Sequence, residues 1–342
     1  MIAAAPRAEE IPGVYLRACL APFGDVLSRP DVTDIYVNRP GEMWIETLGG
    51  SIERIDNPSL SEQTLERLAR QVAALTHQGI SREHPLLAAT LPDGSRIQVV
   101  GPPATRGPLA LAIRRHVSAE LTLQDYVLSH AFAETRTGVA DRRGDEKLSS
   151  LTAERNFAKA LSIAVETRRN IIVSGGTSTG KTTFLNALLR EIPDDERLIT
   201  IEDTPELVVR QPNAIGLLSV RGELGEALVN ANDLVSASLR MRPDRIILGE
   251  LRGPEAFAFL RAISSGHPGS MTSVHADSPE AAVEQLVMLV LQSGTRLKRA
   301  DVRHYVLQSV DLFVHLERSG GHRSVEAITL GRDLAPGASL RA

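Results

Sequence analysis

One stretch constrains this chain of 342 residues more than any other: Gly175-Gly176-Thr177-Ser178-Thr179-Gly180-Lys181-Thr182, followed by Thr183. It fits G-x-x-x-x-G-K-[ST] without departure. Its flanks fit as well. Asn170–Ser174 (NIIVS) is an apolar run of strand type, and Phe184, Leu185, Leu188 and Leu189 give the following segment one apolar helical face. A strand entering and a helix leaving a glycine-rich turn predict a phosphate-binding loop. The glycines let the backbone curl until successive N–H groups point inward at anionic oxygens. The helix that starts there adds its positive dipole end and further unpaired donors. Lys181 is placed to reach β- and γ-phosphates as a point charge, and the Thr182 hydroxyl suits Mg²⁺. Residues 175–183 are therefore the candidate binding segment for a nucleoside triphosphate.

The chain from about residue 152 repeats one theme. A helix at Phe157–Val165 leads to the strand Asn170–Ser174. After the loop come a helix at Thr183–Arg190, a strand at Arg197–Ile201 (RLITI) and a helix near Gly225–Leu239. A strand at Arg245–Leu248 (RIIL), a helix at Pro254–Ile263 and a strand at Ser270–Val274 follow. Strands alternating with helices predict a mostly parallel sheet covered on both faces. Unbroken runs of Ile, Val and Leu fit strands buried on both sides.

The front half has another rhythm. Leu16, Leu20, Phe23 and Leu27 recur at helical spacing, interrupted at Pro22. Thr33–Val37 and Met43–Glu46 flank Asn38-Arg39-Pro40-Gly41 as a hairpin. Ser59 and Glu62 read as a capping box for a helix whose apolar face is Leu65, Leu68, Ala69, Val72 and Leu75. Asp93-Gly94 turns into two further strands, Arg96–Val100 and Leu109–Arg114. A smaller α+β domain is thus expected over residues 1–133. Residues 134–150 are charged and without apolar periodicity, which suits a linker or an ordinary surface loop. On the linker reading, residues 151–342 form the second domain.

Composition removes several classes. With 42% apolar and 23% charged residues the chain is of average globular type. A net charge of −4 argues against a wholly basic nucleic-acid surface, though not against a basic lining. The single cysteine, Cys19, excludes an intramolecular disulfide and a cysteine zinc cluster, and fits a reducing compartment. Residues 1–10 lack the apolar core of a signal peptide. The run Leu286–Leu291 falls far short of the roughly 18 residues of a membrane span. The expectation is a soluble protein that reaches a membrane only through a partner.

Three constellations accompany the loop. RIILGE ends in Glu250, the acid position after an apolar strand neighbouring the loop's own strand, where a carboxylate holds Mg²⁺ or polarises water. Glu202, Asp203 and Glu206 follow the strand LITI, where ligands of α/β sheets bind. They read either as a solvated acidic turn or as a group orienting water. His267 and His275 lie in SGHPGSMTSVHA, read by themselves as core or surface histidines, but with Gly266 and Gly269 beside them. The strand after that loop would carry His275 to the sheet edge of Glu250.

The order GGTSTGKTT, ITIEDTPEL, MRPDRIILGELRG and SGHPGSMTSVHA resembles the traffic ATPases of the secretion superfamily. DIYVNRPGEMWIE and LPDGSRIQVVGPPA in the front half look most like the hexameric ATPase of type IV secretion and conjugation. No tetracysteine motif of the type II branch is present. The resemblance implies a RecA-like P-loop domain preceded by the α+β domain, Mg²⁺-dependent ATP hydrolysis, and a hexameric ring at the bacterial inner membrane. That ring would be cytoplasmic, membrane-peripheral, and in contact with secretion-system subunits. It further implies that Lys181, Glu206, Glu250 and His275 act in catalysis, that Thr182 and Glu250 hold the metal, and that His267, Arg96 and Arg114 attend the nucleotide. Arg240 and Arg252 are weaker candidates, with a surface role as the default. Ser265 stands where the family usually has threonine. No N-K-x-D-like guanine reader and no L-S-G-G-Q signature occurs. A DNA-translocating motor and a nucleotide-gated scaffold with little turnover are the rival readings.

Overall fold

The computed structural model describes residues 14–115, 122–128, 130–133, 135, 145–220 and 225–335. The chain divides into two units. The first comprises residues 1–117 with 220–229, and the second residues 118–219 with 230–342.

In the first unit, helix α1 (Val14–Leu20) breaks into a 3₁₀ turn (Ala21–Phe23) at Pro22 and resumes as α2 (Gly24–Ser28). The break follows from the missing N–H of proline. Strands β1 (Val32–Val37), β2 (Glu42–Thr47) and β3 (Ile52–Asp56) precede helix α3 (Glu62–Leu75), and β4 (Leu86–Thr90), β5 (Arg96–Val100) and β6 (Ala110–Arg114) follow it. All pair antiparallel in the order β3-β2-β1-β6-β5-β4. Ile35 faces Ile45 and Ile113 across the ladder, and Ile97 faces Ile113, so these four share one face. That face packs with Leu65, Leu68 and Val72 of α3 in one core. The cap of α3 differs from the expected box. Asn57 Oδ1 takes the Ser59 N–H at 3.1 Å, holding the chain in a turn. The helix therefore starts two residues later, where Ser61 Oγ accepts from the Thr64 N–H at 3.2 Å. Residues 225–229 join this unit through the Arg82–Glu226 ion pair and the Leu228 N–H donated to the Glu83 carbonyl at 2.8 Å.

The second unit contains the short helix α4 (Leu123–Leu128), then α5 (Asp145–Ala153) and α6 (Phe157–Glu166). Residues 145–150 of the expected linker are thus helical. Residues 134 and 136–144 of that stretch lie outside the described residues. Then follow β7 (Ile171–Gly175), α7 (Lys181–Leu189), β8 (Leu198–Glu202), β9 (Ala214–Leu218) and α8 (Ala231–Ser238). Next come β10 (Arg245–Leu248), α9 (Glu255–Ser264), β11 (Met271–Val274), α10 (Pro279–Gln292), α11 (Arg299–Ser309), β12 (Leu312–Ser319) and β13 (His322–Leu330). The sheet runs β13-β12-β7-β11-β10-β8-β9, parallel except for the β12–β13 hairpin. This is the mostly parallel α/β sheet expected, and β7, β8, β10 and β11 are buried along their whole length.

One expectation about order is corrected. The strand of Glu250, β10, does not neighbour β7; β11 lies between them. The reason lies in the crossovers: α9 returns the chain to the open edge of β10, and β11 fills the place beside β7. That insertion decides the geometry of the site.

Candidate nucleotide site

The loop from Gly175 to Thr182 joins β7 to α7 at the C-terminal edge of the parallel sheet. Gly175 has φ +156°, and a Cβ there would lie 2.6 Å from the Leu316 carbonyl oxygen and from Thr179 Oγ1. No other residue fits without moving backbone. Gly180 (φ +96°) caps α7 in the left-handed region, which glycine enters at no steric cost. The Thr179 hydroxyl donates to the Gly176 carbonyl at 3.0 Å and ties the loop to itself.

Lys181 opens α7 and is buried. Its Nζ donates to the carbonyls of Gly175 (2.9 Å) and Gly176 (3.0 Å), and lies 3.4 Å from His275 Nδ1. Burial pulls its ammonium below the ordinary lysine value, with the Glu250 charge opposing and the Arg252 charge assisting. The other face of His275 meets the acid: Nε2 is 2.8 Å from Glu250 Oε1, a close polar contact rather than a directed hydrogen bond. Lys181, His275 and Glu250 thus form a line across β7, β11 and β10. The inserted strand β11 puts the imidazole between the other two. Arg252 completes the group, its guanidinium on Glu250 Oε2. The Ser273 hydroxyl donates to the Gly249 carbonyl at 2.8 Å and fixes the turn that presents Glu250.

The acidic box has an inner and an outer member. Glu202, last residue of β8, is buried, and its Oε1 accepts the N–H groups of Glu206 (2.8 Å) and Leu207 (2.7 Å). It shapes the turn on which the exposed Glu206 stands. Asn186 of α7 closes the same turn, donating to the Glu206 carbonyl (3.1 Å) and accepting from the Val208 N–H (2.8 Å). A Cβ on Gly249 would come within 3.2 Å of Glu202 Cγ, so the glycine before Glu250 is what lets the two carboxylates approach. Asp203 accepts from the Ser219 hydroxyl.

These groups line one cleft of about 420 Å³, with Thr177–Thr183 as its floor and Glu202, Asp203, Glu206, Glu250, Arg252, His275 and Arg323 around it. Its donors suit Mg²⁺, a hard cation bound by oxygen. The Thr182 hydroxyl and the Glu250 carboxylate both face the cleft, and Glu250 Oε1 has no directed hydrogen bond.

Not every expected residue gathers here. His267 precedes β11 and His275 follows it, so they lie at opposite ends of that strand. His267 Nδ1 contacts the Pro243 carbonyl at 2.8 Å, away from the cleft. Burial, helped by Arg242, lowers its pKa below the ordinary value, against the Pro243 hydrogen bond and Asp244. Arg96 and Arg114 belong to the first unit, as exposed cross-strand partners of β5 and β6, with Arg114 3.8 Å from the buried Asp34 carboxylate. Arg240 is exposed. Three contributions escaped the sequence reading. Glu202 was seen only as one of a cluster, although its place at the last position of an apolar strand marks it as the buried member. Arg252 had a surface role by default, and its two-residue spacing from Glu250 was the available signal. Arg323 carried no signal, because its strand was not read.

Known proteins resemble this chain along most of its length. The family model described as Type II/IV secretion system protein matches residues 141–319. The VirB11 type IV secretion system protein of Bartonella henselae is 38% identical over 324 residues, covering 90% of this chain and 91% of that protein. PtlH of Bordetella pertussis, also a type IV secretion system protein, is 38% identical over 300 residues, covering 86% and 88%. The crystal structure of the VirB11 ATPase from the Brucella suis type IV secretion system, in complex with sulphate, superposes with a TM-score of 0.88 at 36% identity. It covers 96% of this chain and 98% of that one. A glycine-rich loop set against an acid–histidine line, in a chain this similar end to end, leaves one assignment: the chain belongs to the type II/IV secretion system protein family.

Proposed function

We propose that this chain, an ATPase of the type II/IV secretion family, hydrolyses Mg²⁺-ATP in the cleft above β7 and uses the energy to drive a type IV secretion machine. The observation that carries the reading is the line Lys181–His275–Glu250 across three adjacent strands. Phosphoryl transfer needs charge neutralisation and in-line geometry more than covalent chemistry. The loop N–H groups and Lys181 bind the phosphate chain. When the triphosphate enters, Lys181 exchanges its two loop carbonyls for phosphate oxygens, a trade of neutral acceptors for charged ones.

Thr182 and Glu250 are the residues that would hold Mg²⁺, which supplies positive charge to the transferred phosphate. Glu206, exposed on the turn shaped by Glu202, and Glu250 are the two carboxylates available to orient water. His275 links the state of Glu250 to that of Lys181, and Arg252 balances the charge of Glu250. Arg96 and Arg114 are proposed as nucleotide-attending residues on the strength of the resemblance alone, whereas His267, bound to the Pro243 carbonyl at the other end of β11, is proposed as a structural histidine.

We propose further that the chain works as a homo-oligomeric ring, a hexamer as the resemblance implies, in the bacterial cytoplasm and peripheral to the inner membrane. Among the described residues no helix is long and apolar enough to cross a membrane. Phosphate release from purified protein, with and without Mg²⁺, is the test. Mg²⁺-dependent turnover unaffected by added DNA supports the reading. Turnover that appears only with DNA favours a DNA motor, and absent turnover at saturating nucleotide favours a scaffold.

A further inference from the structure

Strand order gives β7 two unlike flanks. On one side lie β11, β10 and β8, which bring His275, Glu250 and Glu202 to the cleft. On the other side lies only the β12–β13 hairpin, which belongs to none of the four motifs. The hairpin is fastened to the loop at three points. Leu312–Leu316 of β12 pair in parallel with Ile171–Gly175 of β7, so the ladder runs up to the first glycine of the loop. The buried His315 contacts the buried Ser174 hydroxyl through Nδ1 at 3.0 Å, while its Nε2 is 3.3 Å from Glu326 Oε2 on β13. At the tip, Arg323 Nε donates to the Ser178 carbonyl at 3.1 Å, and a Cβ on Gly180 would lie 3.3 Å from Arg323 Cδ.

Ser178 is one of the few non-glycine residues with positive φ (+62°), and its carbonyl is turned out toward the hairpin. Arg323 is exposed and lines the cleft, and among the described residues no carboxylate lies within ion-pair distance of it. Arg252, by contrast, is spent on Glu250. With Nε tied to the loop crest, the two terminal nitrogens of Arg323 remain as a fork of donors. Such a fork matches phosphate or ribose oxygens better than a lysine would.

The two ends of the nucleotide can then be assigned to the two flanks. The transferred phosphate belongs beside Lys181, His275 and Glu250. A chain of phosphates held by residues 175–182 leaves its other end on the opposite flank, where the hairpin stands. We propose that Arg323 is a binding residue for the non-transferred end of the nucleotide, taking the α-phosphate and ribose. The hairpin serves as the rigid arm that holds it there. This rests on the ATPase reading above.

The test uses the full chain and three forms: wild type, Arg323→Gln and Arg323→Lys. Calorimetry with ADP and steady-state hydrolysis of Mg²⁺-ATP are run on each, with melting temperature alongside. Arg323→Gln is expected to weaken ADP binding and raise the KM for ATP by the same factor, about tenfold for one hydrogen bond to a charged group. It should leave kcat within about twofold. Arg323→Lys keeps the charge without the fork and should fall between the two. Unchanged ADP affinity in Arg323→Gln overturns the proposal, as does a loss confined to ATP, which would place the contact at the γ-phosphate. A fall in kcat at constant KM would make Arg323 only a brace for the loop, and overturns it too. Failure of the wild type to take up either nucleotide would instead remove the ATPase reading, and this inference with it.

Discussion

The two edges of the second sheet are built from similar residues and do opposite things. At the C-terminal edge stand Lys181, Glu250, Arg252 and His275, around an open cleft in which Arg252 and His275 remain about half exposed. At the N-terminal edge stand Glu196, Arg197, Asp244, Arg245 and His267. There Arg245 is fully buried and holds Glu196 with two hydrogen bonds of 2.6 Å, while Asp244 accepts the Arg197 N–H at 2.8 Å. Charge at one edge is closed off by partners with good geometry. At the other it is left where a ligand can compete for it. The difference follows from the loops. Where glycines (Gly175, Gly180, Gly249) keep side chains out of the way, the strand ends stay open. Where long side chains fold back over the strand starts, the edge is sealed.

Breaking the open edge should abolish chemistry and spare the fold. Lys181→Ala removes the cation that faces the phosphates and leaves two loop carbonyls and His275 Nδ1 without their lysine contact. ATP hydrolysis is expected to fall by about 10³-fold, the upper range for removing one charged stabiliser. The melting temperature should stay within a few degrees. Wild-type turnover in this variant would contradict the assignment of the cleft.

Breaking the sealed edge should do the reverse. Arg245→Ala strands the Glu196 carboxylate, 7% exposed, with the partly exposed Arg168 at 3.4 Å as its remaining cation among the described residues. Removing one partner of a buried pair costs about 3–5 kcal/mol. A large drop in the urea midpoint is therefore expected, while turnover per folded molecule at low temperature stays near wild type. Equal stability in Arg245→Ala would show that the buried pair is not what seals this edge.

His275→Gln tests the link between the two halves of the open edge. The imidazole sits between Lys181 and Glu250. Glutamine retains hydrogen bonding on one side only, so kcat should drop about tenfold, with a smaller change in KM, at unchanged stability. A KM effect alone would make His275 a binding residue and not a coupling one.

The same contrast explains what could be read from the sequence. The open edge was legible because its residues come in short motifs, each attached to an apolar strand. Gly175–Thr182, Glu250 and His275 were all placed by that logic at one end of a parallel sheet. What stayed hidden depended on pairing between distant segments. That β11 separates β7 from β10 is not written in either strand's residues. Nor is the hairpin that brings Arg323 to Ser178: β12 is buried over Leu312–Leu316 and exposed beyond it, and β13 carries no buried residue, so neither strand's residues show which segment it joins. In the first unit β4 went unread for a local reason: LLAAT is rich in alanine, a weak strand former. The shift of the α3 cap from Ser59 to Ser61 came from Asn57, whose side-chain turn competes with the helix for the same N–H groups.

His267 gives the finest test, because it sits at the sealed edge although its motif also contains His275. Its ring is half-buried, bound to the Pro243 carbonyl, with Arg242 repelling and Asp244 attracting its charge, and the net result is a lowered pKa. The unfolded chain therefore binds a proton at His267 more readily than the folded one. Stability from this group is fully present above the ordinary value of about 6.5 and is lost as pH falls from there through the lower folded value. Between pH 7.5 and 5.5 the wild-type melting temperature should fall slightly more than that of His267→Gln, which cannot charge. ATP turnover at pH 7.5 should be nearly the same in both. If His267→Gln instead lost turnover at a constant melting temperature, the histidine would belong functionally to the nucleotide, and the division between a sealed and an open edge would fail at that residue.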